Sequence, residues 1–204
     1  MAEVTAMPER IDRGRRGTYG AFALAVVVAL SSASWLGCGS SDSGSGSVEP
    51  PPAPPADFEA TAADFDCILS WPRVRNIRIT NKLSADAEAE AVALAQNPER
   101  GKQFPVGTIV QLFPGEAMVK RGPDYDPDNN NWEYFELRTS AAGTEINVRG
   151  RDDVINMFGA QCFGCHVAAR DFDFLCEKNR GCIGLPVTDE VITALQNGDP
   201  RCGG

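Results

Sequence analysis

Five consecutive residues, Cys162-Phe-Gly-Cys165-His166, constrain this chain more than any other part of it. Two thiols three residues apart, followed at once by an imidazole, form the attachment pattern of a c-type haem. The spacing has a chemical reason. Each thiol can reach one vinyl group of the porphyrin and form a thioether, which holds the adjacent ring under the iron. His166 is the single histidine of the 204 residues, so this chain has no second imidazole to offer. A fold that serves this motif must orient the His166 ring through its other nitrogen, normally by a hydrogen bond to a backbone carbonyl.

The first part of the chain reads as an export signal. Basic residues from Arg10 to Arg16 precede an apolar run, residues 21–30, and small residues lead to Gly37-Cys38. The run is short for a membrane span and its flanks are those of a signal peptide. Residues 1–37 are therefore expected to be a lipoprotein-type signal, with Cys38 as the lipidated residue. Residues 38–56 are rich in Gly and Ser, then in Pro, and form an expected tether. The residue directly after Cys38 is Gly39, not Asp, which by the lipoprotein sorting pattern points to lipid anchoring on the periplasmic side, at the outer membrane. The net charge is −9, about −10 without residues 1–37. An acidic chain without a basic, aromatic-interleaved stripe is not expected to bind nucleic acid.

Seven cysteines fit an oxidising compartment. Haem would take Cys162 and Cys165 and lipid would take Cys38, leaving Cys67, Cys176, Cys182 and Cys202. Three pairings are open to these four. The favoured one joins Cys176 to Cys182 across a short loop and Cys67 to Cys202 across nearly the whole domain. Two rival uses of the thiols compete with haem. Cys162, Cys165, Cys176 and Cys182 have a spacing compatible with a four-thiolate zinc site that would stabilise a binding module. Cys162 and Cys165 alone resemble a redox pair, but the βαβ setting of such pairs is missing. Export favours haem over both.

The folded domain, residues 57–204, reads as α+β: an antiparallel β-meander with flanking helices and a C-terminal haem c attachment segment. Ser84 to Gln96 is an expected helix, capped by Ser84, with Ala87, Ala91, Leu94 and Ala95 on one face and Asn97-Pro98 as its stop. Expected strands are 106–113, 116–121, 132–138 and 145–149, with residues 122–131 a loop. Asp152 to Gln161 is an expected helix carrying Val154 and Phe158 on one face. Thr188 to Gln196 is another, with Val191 and Leu195 four apart.

The far side of the iron decides between functions. A methionine ligand there makes an electron carrier, whereas an open position admits small ligands. Met118 and Lys120, two apart on an expected strand, face the same way and are the distal candidates. Met157, just before the motif, is expected in the core or on the proximal side.

Phe104-Pro-x-Gly107-Thr108, Trp132-Glu-Tyr-Phe135, the Cys162–His166 motif and Asp173-Phe174 occur in an order that resembles the cytochrome P-460 domain, related to cytochrome c′-beta, over Phe104 to Cys182. The resemblance implies a β-rich monohaem domain, often a homodimer, with five-coordinate iron and a redox partner protein. Founding members carry a lysine cross-linked to the haem and oxidise hydroxylamine and nitric oxide. The c′-beta relatives lack that link and bind nitric oxide in an apolar pocket. The cross-linking lysine falls five residues after the Gly of the Gly-Thr pair, where this chain has Leu112. Lys120 substitutes only in a different register. The expectation is therefore a small nitrogen-oxide-type ligand bound or redox-transformed in an apolar pocket, with Leu112 or Phe135 in its lining.

Overall fold

The computed structural model describes residues 56–203. The expected export signal, Cys38 and all but the last residue of the tether lie outside the described residues. Six strands form one antiparallel sheet in sequence order: β1 (Arg73–Val74), β2 (Ile77–Asn81), β3 (Thr108–Gln111), β4 (Glu116–Lys120), β5 (Trp132–Ser140) and β6 (Gly143–Arg149). The α+β meander is thus present with two more strands than expected, β1 and β2. Three helices accompany it: α1 (Ala85–Gln96), α2 (Cys162–His166) and α3 (Asp189–Asn197).

Register and side-chain alternation give the sheet two apolar faces. Ile79, Val110, Met118 and Tyr134 stand opposite one another in a row across β2 to β5. This row belongs to the first core, with Ala91 and Ala95 of α1, Phe104, Trp132, Phe174 and Leu175. Cys162, Phe163 and Val167 pack against the same core, so the motif segment lies on this face. The opposite face buries Ile109, Ala117, Val119, Phe135 and Leu137 under Ala60, Phe65, Ile68 and Trp71 of the incoming chain. Phe65 and Phe135 have ring centroids 5.1 Å apart. Phe135 is therefore on the far side of the sheet from the motif and cannot line a pocket there. Leu112 is partly buried against the first core.

Helix α1 forms where the sequence places it. The Ser84 hydroxyl accepts from the Ala87 amide at 3.1 Å, and the small side chains of Ala91 and Ala95 let the helix lie close on the sheet. Helix α3 also forms, with Thr188 as its cap, but its buried face is shifted. Ile192 and Gln196 are inside while Val191 and Leu195 are exposed. The shift follows from the Gln196 amide, which donates to the carbonyls of Asn76 (2.6 Å) and Leu112 (3.0 Å) and accepts from Arg78.

Gly107, the glycine of the Gly-Thr pair, opens β3 with φ +83°, a conformation that side chains disfavour. Its amide donates to the Lys120 carbonyl at 2.9 Å and its carbonyl accepts from Lys82. A Cβ at this position would lie 2.7 Å from Leu83 Cγ. Both favoured disulfides are present. Cys67–Cys202 closes a sequence separation of 135 and Cys176–Cys182 one of 6. Among the described residues no helix is long and apolar enough to cross a membrane.

Candidate functional site

The chain enters the motif through a turn, not the expected helix over 152–161. Asn156 explains the difference. Its side-chain oxygen accepts from the amides of Phe158 and Ala160, both at 3.0 Å, which is the local competition that draws asparagine out of helices. A bridge between Ile155 and Gln161 closes the hairpin, and the Cys162 amide donates to the Val154 carbonyl at 3.1 Å. The Met157 amide donates to Glu116 Oε1 of β4 at 2.6 Å, fixing the turn to the sheet. Met157 itself is 58% exposed, so it is not a core residue.

Helix α2 is the motif. Nδ1 of His166 lies 2.8 Å from the Phe174 carbonyl oxygen. A carbonyl only accepts, so Nδ1 carries the proton and Nε2 keeps its lone pair. Burial disfavours the imidazolium and lowers the pKa of His166, against the smaller opposing effect of this hydrogen bond. The ring meets Tyr134 edge-on at 5.3 Å. Tyr134 donates its hydroxyl to Asn129 Oδ1 at 3.2 Å, and burial raises its pKa. Cys162 and Cys165 are both free, the first half-buried and the second exposed. Burial, helped by Glu116 and Cys165, pushes the Cys162 thiol up to about 12.

The Cys176–Cys182 disulfide packs on the motif. Its two sulfurs lie 3.5 and 3.8 Å from the Cys165 carbonyl oxygen, and with no S–H they cannot donate to it. Gly181, at φ +89°, lets this loop approach so closely that a Cβ would fall 2.7 Å from the Ala168 carbonyl oxygen. The disulfide also removes two of the four thiols of the zinc reading. The one compact metal-ligating group among the described residues, Cys67, Asp199 and Cys202, is closed by the other disulfide.

Apolar side chains stand exposed on both segments that adjoin the motif. Ile155 and Met157 precede it. Ile183, 95% exposed, and Leu185 follow the disulfide that touches Cys165.

The chain matches no family model, no curated protein and no solved structure.

Lys120 and Met118, the distal candidates, are both buried and engaged within the fold. The Lys120 ammonium lies 2.8 Å from both carboxylate oxygens of Asp173 and 2.7 Å from the Asn130 carbonyl, with the two charged side chains 3% and 0% exposed. It also sits over the Trp132 ring at 5.2 Å. Burial lowers the pKa of Lys120 and raises that of Asp173, while each charge favours the other. An ammonium held this way has no lone pair for a metal. Met118 is buried beside Tyr134, the residue that the His166 ring itself contacts. It is thus part of the first core, on the same face of the sheet as the motif.

The donor set fits one covalently held haem. Two free thiols, one exposed, stand beside a neutral imidazole whose Nε2 is unclaimed. Asp173, Phe174 and Tyr134 complete the site. The sequence assigned them no role; the only signals were Tyr134 within Trp132-Glu-Tyr-Phe135 and the Asp173-Phe174 pair seven and eight residues after His166.

Proposed function

We propose that the domain is a monohaem c-type cytochrome, resembling the P-460 family, that binds or redox-transforms a small nitrogen-oxide-type ligand. The observation that carries this reading is the His166–Phe174 hydrogen bond. It sets the tautomer that a haem-ligating imidazole requires, directly beside two unpaired cysteines. Cys162 and Cys165 would hold the porphyrin, each thiol adding across one vinyl group, and His166 would hold the iron. The haem would supply an iron centre able to take up a small ligand or to exchange an electron with a partner protein. Ile155, Met157, Ile183 and Leu185 would give it apolar cover, which accounts for their exposure in the protein chain alone.

The commitment of Lys120 to Asp173 and the burial of Met118 support an accessible distal position over a Met-ligated electron carrier. Leu112, at the position of the family's cross-linking lysine, supports c′-beta-like ligand binding over hydroxylamine oxidation. The export signal and Cys38 would place the domain on the periplasmic side, lipid-anchored at the outer membrane, and the resemblance adds a homodimer.

Absorption spectra of the protein produced with haem-maturation machinery test the reading. One covalent haem, high-spin in at least one redox state and altered by nitric oxide, is expected. A low-spin six-coordinate spectrum in both states, indifferent to nitric oxide and carbon monoxide, would point to an electron carrier, and Met118→Ala would then reveal whether that methionine is the ligand. A colourless protein with stoichiometric zinc would establish the binding module instead.

A further inference from the structure

We propose that the buried Lys120–Asp173 ion pair positions the Phe174 carbonyl and thereby sets the strength of the hydrogen bond to His166. The inference rests on the haem reading above and assigns Lys120 and Asp173 as positioning residues for the proximal ligand.

Four observations carry it. Asp173 is fixed through every polar group that it can offer as an acceptor. Its carboxylate accepts from Lys120 at 2.8 Å, from the Phe104 amide at 2.7 Å and from the Asn130 side chain at 2.9 Å. Its carbonyl accepts from Trp132 Nε1 at 2.8 Å. The residue held this firmly is the immediate neighbour of the one whose carbonyl meets His166. Next, Asp173 and Phe174 are both left-handed, at φ +51° and +60°. Two consecutive non-glycine residues in that region persist only where the surroundings impose them, and such strain gathers at functional positions. The left-handed pair turns the chain so that the Phe174 carbonyl points back at the helix preceding it. Phe174 also stacks on Phe163 of the motif, with centroids 6.1 Å apart, so its ring and its carbonyl both bear on the same short helix. Finally, stability alone is a poor reason for this pair. A buried ion pair is often no more stabilising than apolar residues of the same volume. Here the charges anchor one backbone turn between β4, the loop before β5 and the segment after the motif.

The hydrogen bond from Nδ1 makes the imidazole a stronger donor to a metal. If the pair is weakened, the Phe174 carbonyl loses its fixed position and Nε2 becomes a weaker ligand.

The test uses the full chain matured with haem, read by the iron–histidine stretch of the reduced protein and by the reduction potential. Lys120→Met and the milder Asn130→Gly are expected to retain one covalent haem, to lower the stretching frequency and to shift the potential upward. Retention of His166 against displacement by nitric oxide should fall about 10-fold or more, the usual effect of removing a metal ligand's outer support. Lys120→Arg should restore these readouts toward the original. Glu133→Gln, in the ion-pair network on the opposite face of the sheet, should lower stability without moving the stretch. An unchanged stretch and potential in Asn130→Gly and Lys120→Met, with only stability reduced, would overturn the proposal and leave the haem reading standing. Should Lys120→Met not fold, Asn130→Gly decides alone. An original protein that takes up no haem overturns both.

Discussion

The Phe174 carbonyl oxygen accepts the Nδ1 proton of His166 at 2.8 Å, and the half-buried ring meets Tyr134 edge-on at 5.3 Å. An imidazole desolvated in this way resists protonation, and in the haem-free chain that resistance is measurable. The folded pKa of His166 lies below its ordinary value. As pH falls through about 6.5, the unfolded chain takes up a proton that the folded chain refuses, so stability falls. The slope reaches at most about 1.4 kcal/mol per pH unit until the folded pKa is passed. Glu116 and Asp173, whose pKa values burial raises, act with the opposite sign, so the comparison must be with His166→Phe. Urea unfolding of both chains from about pH 8 down to pH 5 should show the downward slope only where the histidine is present. Parallel curves would refute the depressed pKa.

A second prediction concerns the ion pair 53 residues apart in sequence. Removing Lys120 alone, as Met, or Asp173 alone, as Leu, leaves an unpaired buried charge and should cost about 3–5 kcal/mol. The double variant Lys120→Met/Asp173→Leu leaves no such charge and should cost much less than the two single changes added together. Denaturant midpoints of the four chains form the cycle. Strict additivity would mean that the two groups do not interact.

The legible parts of this fold had local signals. Helix α1 announced itself through Ser84 as a cap and Asn97-Pro98 as a stop, and the turn residues between 122 and 131 bounded β4 and β5. The attachment motif was legible as contiguous chemistry. What was not legible depended on side chains competing with, or reaching beyond, their own segment. Asn156 satisfied two amides that a helix would have used, so an amphipathic stretch became a hairpin. Gln196 carried enough hydrogen bonds inward to rotate α3 by about one residue from its hydrophobic reading. Strand β2 alternates Ile77, Arg78 and Ile79, a short signal that its charged neighbours obscured. Lys120 looked like a reactive lysine because its partner, Asp173, is invisible at a distance of 53 residues. Phe135 looked like a pocket residue because a strand's alternation gives two faces without saying which one the motif covers.

Two glycines offer a comparison between strain that can relax and strain that cannot. Gly107→Ala would place Cβ against the flexible, half-exposed Leu83 side chain, which can swing away. The remaining cost is the left-handed backbone, about 1–2 kcal/mol. Gly181→Ala meets the Ala168 carbonyl, a backbone atom just beyond the motif, and also has a left-handed backbone. It should cost more than Gly107→Ala and disturb the motif as well. Melting temperatures give the order of cost, and the Tyr134 environment, followed by aromatic near-ultraviolet dichroism, should change more in Gly181→Ala. The reverse order would show that the loop holding Cys182 yields more easily than Leu83.

The Cys67–Cys202 bond joins the chain entering the second core to the short turn Pro200–Cys202 that ends the described fold. Closing a loop of 135 residues removes unfolded-state entropy worth about 5 kcal/mol in the chain-entropy account, against about 2 kcal/mol for the short Cys176–Cys182 loop. The native contacts around it are independent of the sulfurs. Asp199 accepts from the Ile68 amide at 3.1 Å and pairs with Arg201, which reaches the Phe65 carbonyl at 2.9 Å. Cys67→Ala/Cys202→Ala should therefore fold to the same structure with a much lower melting temperature, while Cys176→Ala/Cys182→Ala should lose less global stability. The local consequence is the opposite. The short bond lies against the Cys165 carbonyl, so its loss should loosen hydrogen-exchange protection around the motif, which the long bond's loss leaves intact. Equal destabilisation by the two double variants, or unchanged protection at the motif when the short bond is removed, would refute this division of labour.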